Sequence, residues 1–165
     1  MNLLALSRET GTALKKSGCM LVTAESCTGG WVAQAVTSVA GSSDWYERGY
    51  VTYSNAAKRE ALGVTKDTLQ RHGAVSERTA REMARGAWKK SQAALRRLGR
   101  RTIALSITGV AGPGGGAPGK PVGLVCFAWV HGRKIRSETK RFRGGRGRVR
   151  RQSVIHALRG VLRWL

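Results

Sequence analysis

The sequence predicts an α/β layered domain built on a mixed sheet, and three observations carry that prediction. Short β-branched apolar runs alternate along the chain with stretches whose apolar residues recur at helical spacing. The last two runs, 122–131 and 134–142, are separated only by Gly132-Arg133 and read as an antiparallel hairpin beside strands that need crossovers. With 165 residues and 41% hydrophobic content, the chain is expected to form one domain over 1–165. A domain of that size buries roughly 70% of the unfolded surface.

Each element follows from local signals. Asn2 caps a first amphipathic helix carrying Leu3, Leu6, Ala13 and Leu14, and Gly18 closes it. Residues 20–24 form a buried strand, and apolar positions from Trp31 to Val39 predict a helix after Gly30. Gly41-Ser42-Ser43-Asp44 is a loop, followed by a strand over 48–53. Ser54 or Asn55 caps a short helix with Lys58, Ala61 and Leu62, closed by Gly63. Thr65 starts another short helix to about His72, and Ser76 opens a longer one toward Leu98. Residues 102–108 form a third strand, and a loop rich in Gly, Pro and Ala runs over 109–121. After the hairpin, 144–147 is a turn and the final helix spans 148–165.

Composition restricts the function classes. No apolar run approaches the roughly 18 residues a membrane span needs, and residues 1–16 lack the apolar centre of a signal peptide. Cys19, Cys27 and Cys126 are odd in number and form no CxxC pair, which argues against a disulfide framework and points to a reducing cytoplasm. His72, His131 and His156 are isolated, so neither a metal nor a cofactor is expected. The formal net charge is +21, and residues 133–165 hold twelve Lys or Arg against the single acid Glu138. Such a field favours anionic partners, either nucleic acid or a small phosphorylated substrate. An arginine-favouring codon bias would produce the same enrichment with no binding role.

Four segments could carry chemistry. Ser26, in Thr23-Ala24-Glu25-Ser26-Cys27-Thr28-Gly29-Gly30, sits on a sharp strand-to-helix turn. Its two glycines let the backbone approach a ligand, and the helix start offers unpaired N–H groups. Such a turn can hold a nucleophile over an oxyanion hole, or simply cap a helix. Lys58 lies in the first turn of a helix, where burial and the helix dipole would depress its pKa. A neutral lysine is a usable general base for a serine hydroxyl, although most such lysines only face solvent. Glu25 reads as orienting the turn or capping a helix rather than as the base. The loop from Thr108 through Gly109, Ala111 and Gly112 to Gly116 can wrap a ligand, but lacks the Gly-Lys-Ser/Thr ending of a nucleotide-triphosphate loop. Arg146 and Arg150 could meet a phosphate near the last helix, or belong to a solvated basic face.

Taken together, these segments resemble the CinA C-terminal domain family. The resemblance rests on Ala24-Glu25-Ser26-Cys27-Thr28-Gly29-Gly30, Gly41-Ser42-Ser43, Val51-Thr52-Tyr53-Ser54-Asn55 with Lys58, and His72-Gly73-Ala74-Val75-Ser76. It extends through Ser106-Ile107-Thr108-Gly109-Val110-Ala111-Gly112-Pro113, Lys120-Pro121-Val122-Gly123, and Arg146 with Val149-Arg150-Arg151-Gln152. The resemblance implies a three-layer α/β/α fold, a homo-oligomer, and hydrolysis of the carboxamide of nicotinamide mononucleotide (NMN). A Ser–Lys dyad maps onto Ser26 and Lys58, with Tyr53 and Thr108 at further positions of the site. The residues expected to face substrate are Glu25, Cys27, Thr28, Gly29 and Gly30 of the turn, Ser43, the loop residues Gly109, Ala111 and Gly112, and Arg146 and Arg150. Ala56, Gly119 and Gly145 depart from the pattern, standing where relatives often carry an acid. Larger members of the family carry a further N-terminal domain, whose activity is not expected of these 165 residues. The alternative is a basic nucleic-acid-associated protein without amidase activity, although no nucleic-acid motif is present.

Overall fold

Side-chain alternation along three central strands assigns the layers of this molecule, a computed structural model that describes residues 2–165. The strands are β1 (Cys19–Glu25), β2 (Tyr46–Val51), β3 (Arg101–Gly109), β4 (Leu124–His131) and β5 (Lys134–Arg141), in the sheet order β2-β1-β3-β4-β5. β1 pairs parallel with β2 and β3, whereas β3, β4 and β5 run antiparallel. One face of the sheet presents Leu21, Ile103, Leu105, Ile107, Phe127 and Trp129. It is covered by α1 (Leu3–Ser17), α2 (Trp31–Thr37) and α6 (Arg146–Leu162) through Leu6, Leu14, Val32, Val36, Val154 and Leu158. The opposite face presents Met20, Val22, Ala24, Ala104, Ala128 and Val130. It is covered by α3 (Asn55–Leu62) and α5 (Glu77–Arg97), with α4 (Lys66–His72) packed outside against α5. The result is three layers with two separate cores. β1 is buried on both faces, which is why its sequence is apolar almost without interruption.

Small side chains set the spacing of the second layer. Ala80, Ala84 and Ala87 of α5 are fully buried, and they lie over the alanines of β3 and β4. At Gly86 the approach is closer still, because an added Cβ would stand 1.8 Å from the carbonyl oxygen of Leu62. The C-terminal turn of α3 is therefore pressed directly onto the α5 backbone.

Two elements differ from their sequence-based boundaries. β2 runs over Tyr46–Val51, earlier than expected, and Tyr53 lies outside it with 64% of its surface exposed. This edge strand is half exposed and contains Glu47, Arg48 and Gly49, so it carries no clear apolar alternation. The second difference is α6, which begins at Arg146 and takes in Gly147, with Gly145 as its N-cap. A short 3-10 turn, Ser42–Asp44, occupies the expected loop before β2.

The parallel strands deliver their C-terminal ends to one rim of the sheet. Chain leaving β1 enters α2 on one face, and chain leaving β2 enters α3 on the other. Departures to opposite faces open a crevice at that rim, where open α/β sheets hold their ligands.

Candidate active site

The turn from Ser26 to Gly30 is built by a buried carboxylate beneath it. Gly29 (φ 60°) and Gly30 (φ 90°) adopt left-handed backbone, which no β-branched residue would tolerate cheaply. Gly30 stands at the N-cap of α2 and has no side chain to cap it. Glu25, 1% exposed, supplies the cap from the preceding strand. Its Oε2 accepts from Val32 N–H at 3.0 Å and from Thr28 Oγ1 at 2.7 Å, and its Oε1 accepts from Ala33 N–H at 3.0 Å. These are the helix-start amides that sequence reading left open for a ligand, and they are already paired. Gly29 N–H likewise donates to Ser26 O, and Ser26 N–H donates to Ile107 O at 2.9 Å. The nucleophile candidate is thus fixed between β1 and β3.

Lys58 reaches that serine from the other face. Ser54 caps α3 by accepting from Ala57 N–H, and the helix carries Lys58 inward until 1% of its surface is exposed. Nζ lies 3.0 Å from Ser26 Oγ, 2.8 Å from Thr52 O and 3.4 Å from Tyr53 O. Among the described residues no carboxylate forms an ion pair with it. Burial lowers its pKa from the ordinary 10.5, while the neighbouring Cys27 opposes the shift weakly. Two of its three contacts are carbonyl oxygens, which only accept. A neutral amine has two N–H groups for those carbonyls, and its lone pair is then left facing the hydroxyl of Ser26. The arrangement fits a base poised to take the serine proton.

A cavity of about 310 Å³ opens in front of this pair. Of the residues expected at the site, Ser26, Cys27, Tyr53, Lys58, Thr108, Gly109, Ala111, Gly112 and Arg146 line it. Thr108 Oγ1 donates to Ala74 O at 2.7 Å, tying the end of β3 to the segment before α5. Arg146 crosses the mouth, donating to Gly112 O at 2.9 Å and to Tyr53 OH at 3.1 Å. Cys27 is buried, and desolvation pushes its thiol up to about 12, so it stays protonated at neutral pH.

Other expected residues are placed elsewhere. Glu25, Thr28, Gly29, Gly30 and Arg150 are not among the residues that line the cavity; Glu25, Thr28 and Arg150 instead brace the turn, and Gly29 is exposed. Arg150 donates from Nε to Cys27 O at 3.1 Å and from Nη2 to Thr28 O at 2.8 Å, with its guanidinium over the Trp31 ring. Ser43 is exposed in the 3-10 turn that precedes β2, at the opposite end of the sheet. Ala74, Val75, Val110, Gly114 and Gly115 also line the cavity; they lie in segments noted in the sequence but were given no individual place at the site. Ala74 and Val75 offer no reactive group, and only their place between two capped helices hints that backbone is presented there.

Comparison with known proteins agrees with this architecture. The CinA C-terminal domain profile matches residues 4–165, and the chain belongs to that family. It is 51% identical over 158 residues to nicotinamide-nucleotide amidohydrolase PncC of Escherichia coli (strain K12), covering 94% of this chain and 90% of that one. The protein of the same name from Pseudomonas putida is 47% identical over 157 residues, covering 95% and 93%. Among solved structures, competence/damage inducible protein CihA from Agrobacterium tumefaciens superposes with a TM-score of 0.89 at 41% identity, covering 98% of this chain and 94% of that one.

Proposed function

We propose that the protein is a nicotinamide-nucleotide amidohydrolase that converts NMN to nicotinic acid mononucleotide and ammonia through a Ser26–Lys58 dyad, a step of pyridine-nucleotide recycling. The observation that carries this reading is the 3.0 Å approach of a buried lysine, held by two carbonyls and paired with no acid, to the hydroxyl of Ser26. The names of the relatives support the substrate class.

In this mechanism neutral Lys58 takes the Oγ proton of Ser26 as the oxygen attacks the carboxamide carbon. The tetrahedral oxyanion needs donors, and each well-placed N–H contributes roughly 3–4 kcal/mol to such a step. The amides of Ser26, Gly29, Trp31, Val32 and Ala33 are committed to the turn, which leaves those of Cys27, Thr28 and Gly30 as its candidate donors. Lysinium then protonates the departing nitrogen, releasing ammonia and leaving a Ser26 ester. Water, deprotonated by the regenerated amine, hydrolyses the ester. Arg146, on the cavity, is the side chain for the substrate phosphate. Arg150 acts as a positioning residue, because its guanidinium already holds the carbonyls of Cys27 and Thr28.

Ammonia release from NMN by the wild type, Ser26→Ala and Lys58→Ala tests the proposal. Both variants are expected to lose at least about a thousandfold in kcat while keeping their thermal transition. Near-normal turnover in either would remove the dyad, and equal activity on free nicotinamide would remove the phosphate contact.

A further inference from the structure

The surface holds a second concavity that amide hydrolysis does not use. It lies between α3 and α5, measures about 570 Å³, and shares no lining residue with the candidate active site. Along α5 it is walled by Arg78, Arg81, Arg85 and Lys89, with Lys90 beside them. Their spacing of three, four and four residues puts the first four on one helix face, a row about 16 Å long at 1.5 Å per residue. The lining contains one carboxylate, Glu82, and both of its oxygens are occupied. It accepts from Thr65 N–H at 2.8 Å and from Thr68 Oγ1 at 2.5 Å, holding α4 to α5. None of the five cations makes an ion pair among the described residues, and Arg81 has only a 3.3 Å contact to Ser137 Oγ. Five cations against the single charge of Glu82 leave the groove strongly positive, and an anion of matching extent relieves the repulsion among them.

We propose that this groove binds the phosphate backbone of a nucleic acid without reading its sequence. The row exceeds what one phosphate can engage, so a mononucleotide would leave most of it unpaired. The lining has no aromatic ring, so stacked single-strand bases find no platform there. An acidic protein partner would need apolar anchors at its centre, and the groove offers only Leu62 and Ile135. What remains is a backbone-tracking contact of Arg and Lys, the chemistry that dominates non-specific affinity for a duplex.

The test is anisotropy of a fluorescein-labelled 20-base-pair DNA duplex titrated with the full chain over a series of salt concentrations. The wild type should bind with a linear log–log salt dependence, and a second duplex of unrelated sequence should bind equally. R81Q/R85Q/K89Q/K90Q should weaken binding at least about tenfold near 0.1 M salt and flatten the slope by about 3–4, at roughly 0.9 per phosphate contact. R85Q/K89Q should give about half that change, and retained thermal unfolding and ammonia release confirm that the fold is intact. R8Q/K16Q/R148Q/R159Q removes the same charge from the α1 and α6 face and should shift affinity less than about threefold. Equal losses in the two quadruple variants overturn the proposal in favour of diffuse charge. So does absence of wild-type binding near 0.1 M salt, and so does a polyglutamate peptide that displaces the duplex at equal charge.

Discussion

In the proposed reaction Ser26 and Lys58 take different roles because their surroundings differ in kind. Ser26 sits at a rim the substrate can reach, whereas Lys58 is buried with carbonyls as its fixed partners. Burial lowers the lysine pKa, so activity should climb with pH through that lowered value and level off below 10.5, the ordinary lysine value; a pH–rate profile reads this directly. The same shift has a consequence for stability. In the unfolded chain Lys58 keeps its proton up to about 10.5, while the folded protein gives it up earlier. Across that window the unfolded state binds more protons, so this group's contribution to stability rises with pH. The Tm of Lys58→Met relative to wild type should therefore fall as pH is raised toward 10.5, and a pH-independent difference would contradict the assignment. Cys27 offers the contrasting case. Its thiol is pushed up to about 12 and is buried, so Cys27→Ala should keep ammonia release within about threefold of wild type. Loss of activity there would make the thiol a participant. Ser26 and Lys58 drew attention in the sequence as a hydroxyl at a strand end and an amine at a helix start, whereas Thr108 joined the candidate site only through the family resemblance. The role of Glu25 was legible only in outline, since three hydrogen-bond partners cannot be counted from a one-dimensional string.

At the scale of elements, the site depends on how α3 is seated. Lys58 and Leu62 lie one turn apart on α3, and the carbonyl of Leu62 rests where a side chain at position 86 of α5 would be. Gly86→Ala places a Cβ 1.8 Å from that oxygen, which no rotamer relieves because both partners are backbone. α3 must move away, at a cost of about 1–3 kcal/mol, and Lys58 moves with it. We expect a lowered Tm together with a fall in kcat exceeding any change in KM. A drop in Tm alone would mean that the dyad tolerates the displacement. The order of helices and strands was readable from caps and apolar spacing, as with Asn2, Ser54, Thr65 and Ser76, each of which accepts a backbone N–H at its helix start. Misplaced boundaries occur where those signals fail. β2 is a half-exposed edge strand with charged residues inside it, and α6 starts on Gly145, whose cap leaves no side-chain signature. No local pattern foretold the contact at Gly86, because it joins segments distant in sequence.

For the whole molecule the dominant property is a net charge of +21 carried by 30 basic residues. NMN brings a phosphate to this field, and the nucleoside without that phosphate does not. Charged surfaces of this kind raise encounter and local concentration of anions by about tenfold or more at low salt. The effect reaches about 30 Å at 0.01 M salt and about 3 Å at 1 M. Raising salt across that range should therefore increase KM for NMN about tenfold while leaving kcat unchanged, because the proposed Ser26–Lys58 pair is buried and salt scarcely screens it. The nucleoside, a pyridinium cation without the phosphate, should show no rise in KM with salt, and its comparison exposes any effect of salt on the protein itself. Arg146→Gln separates the local contact from the field. It should raise KM for NMN at every ionic strength, since Arg146 lines the cavity, yet leave most of the salt response in place, since 29 other basic residues remain. If both substrates respond equally to salt, the charge has no part in substrate capture.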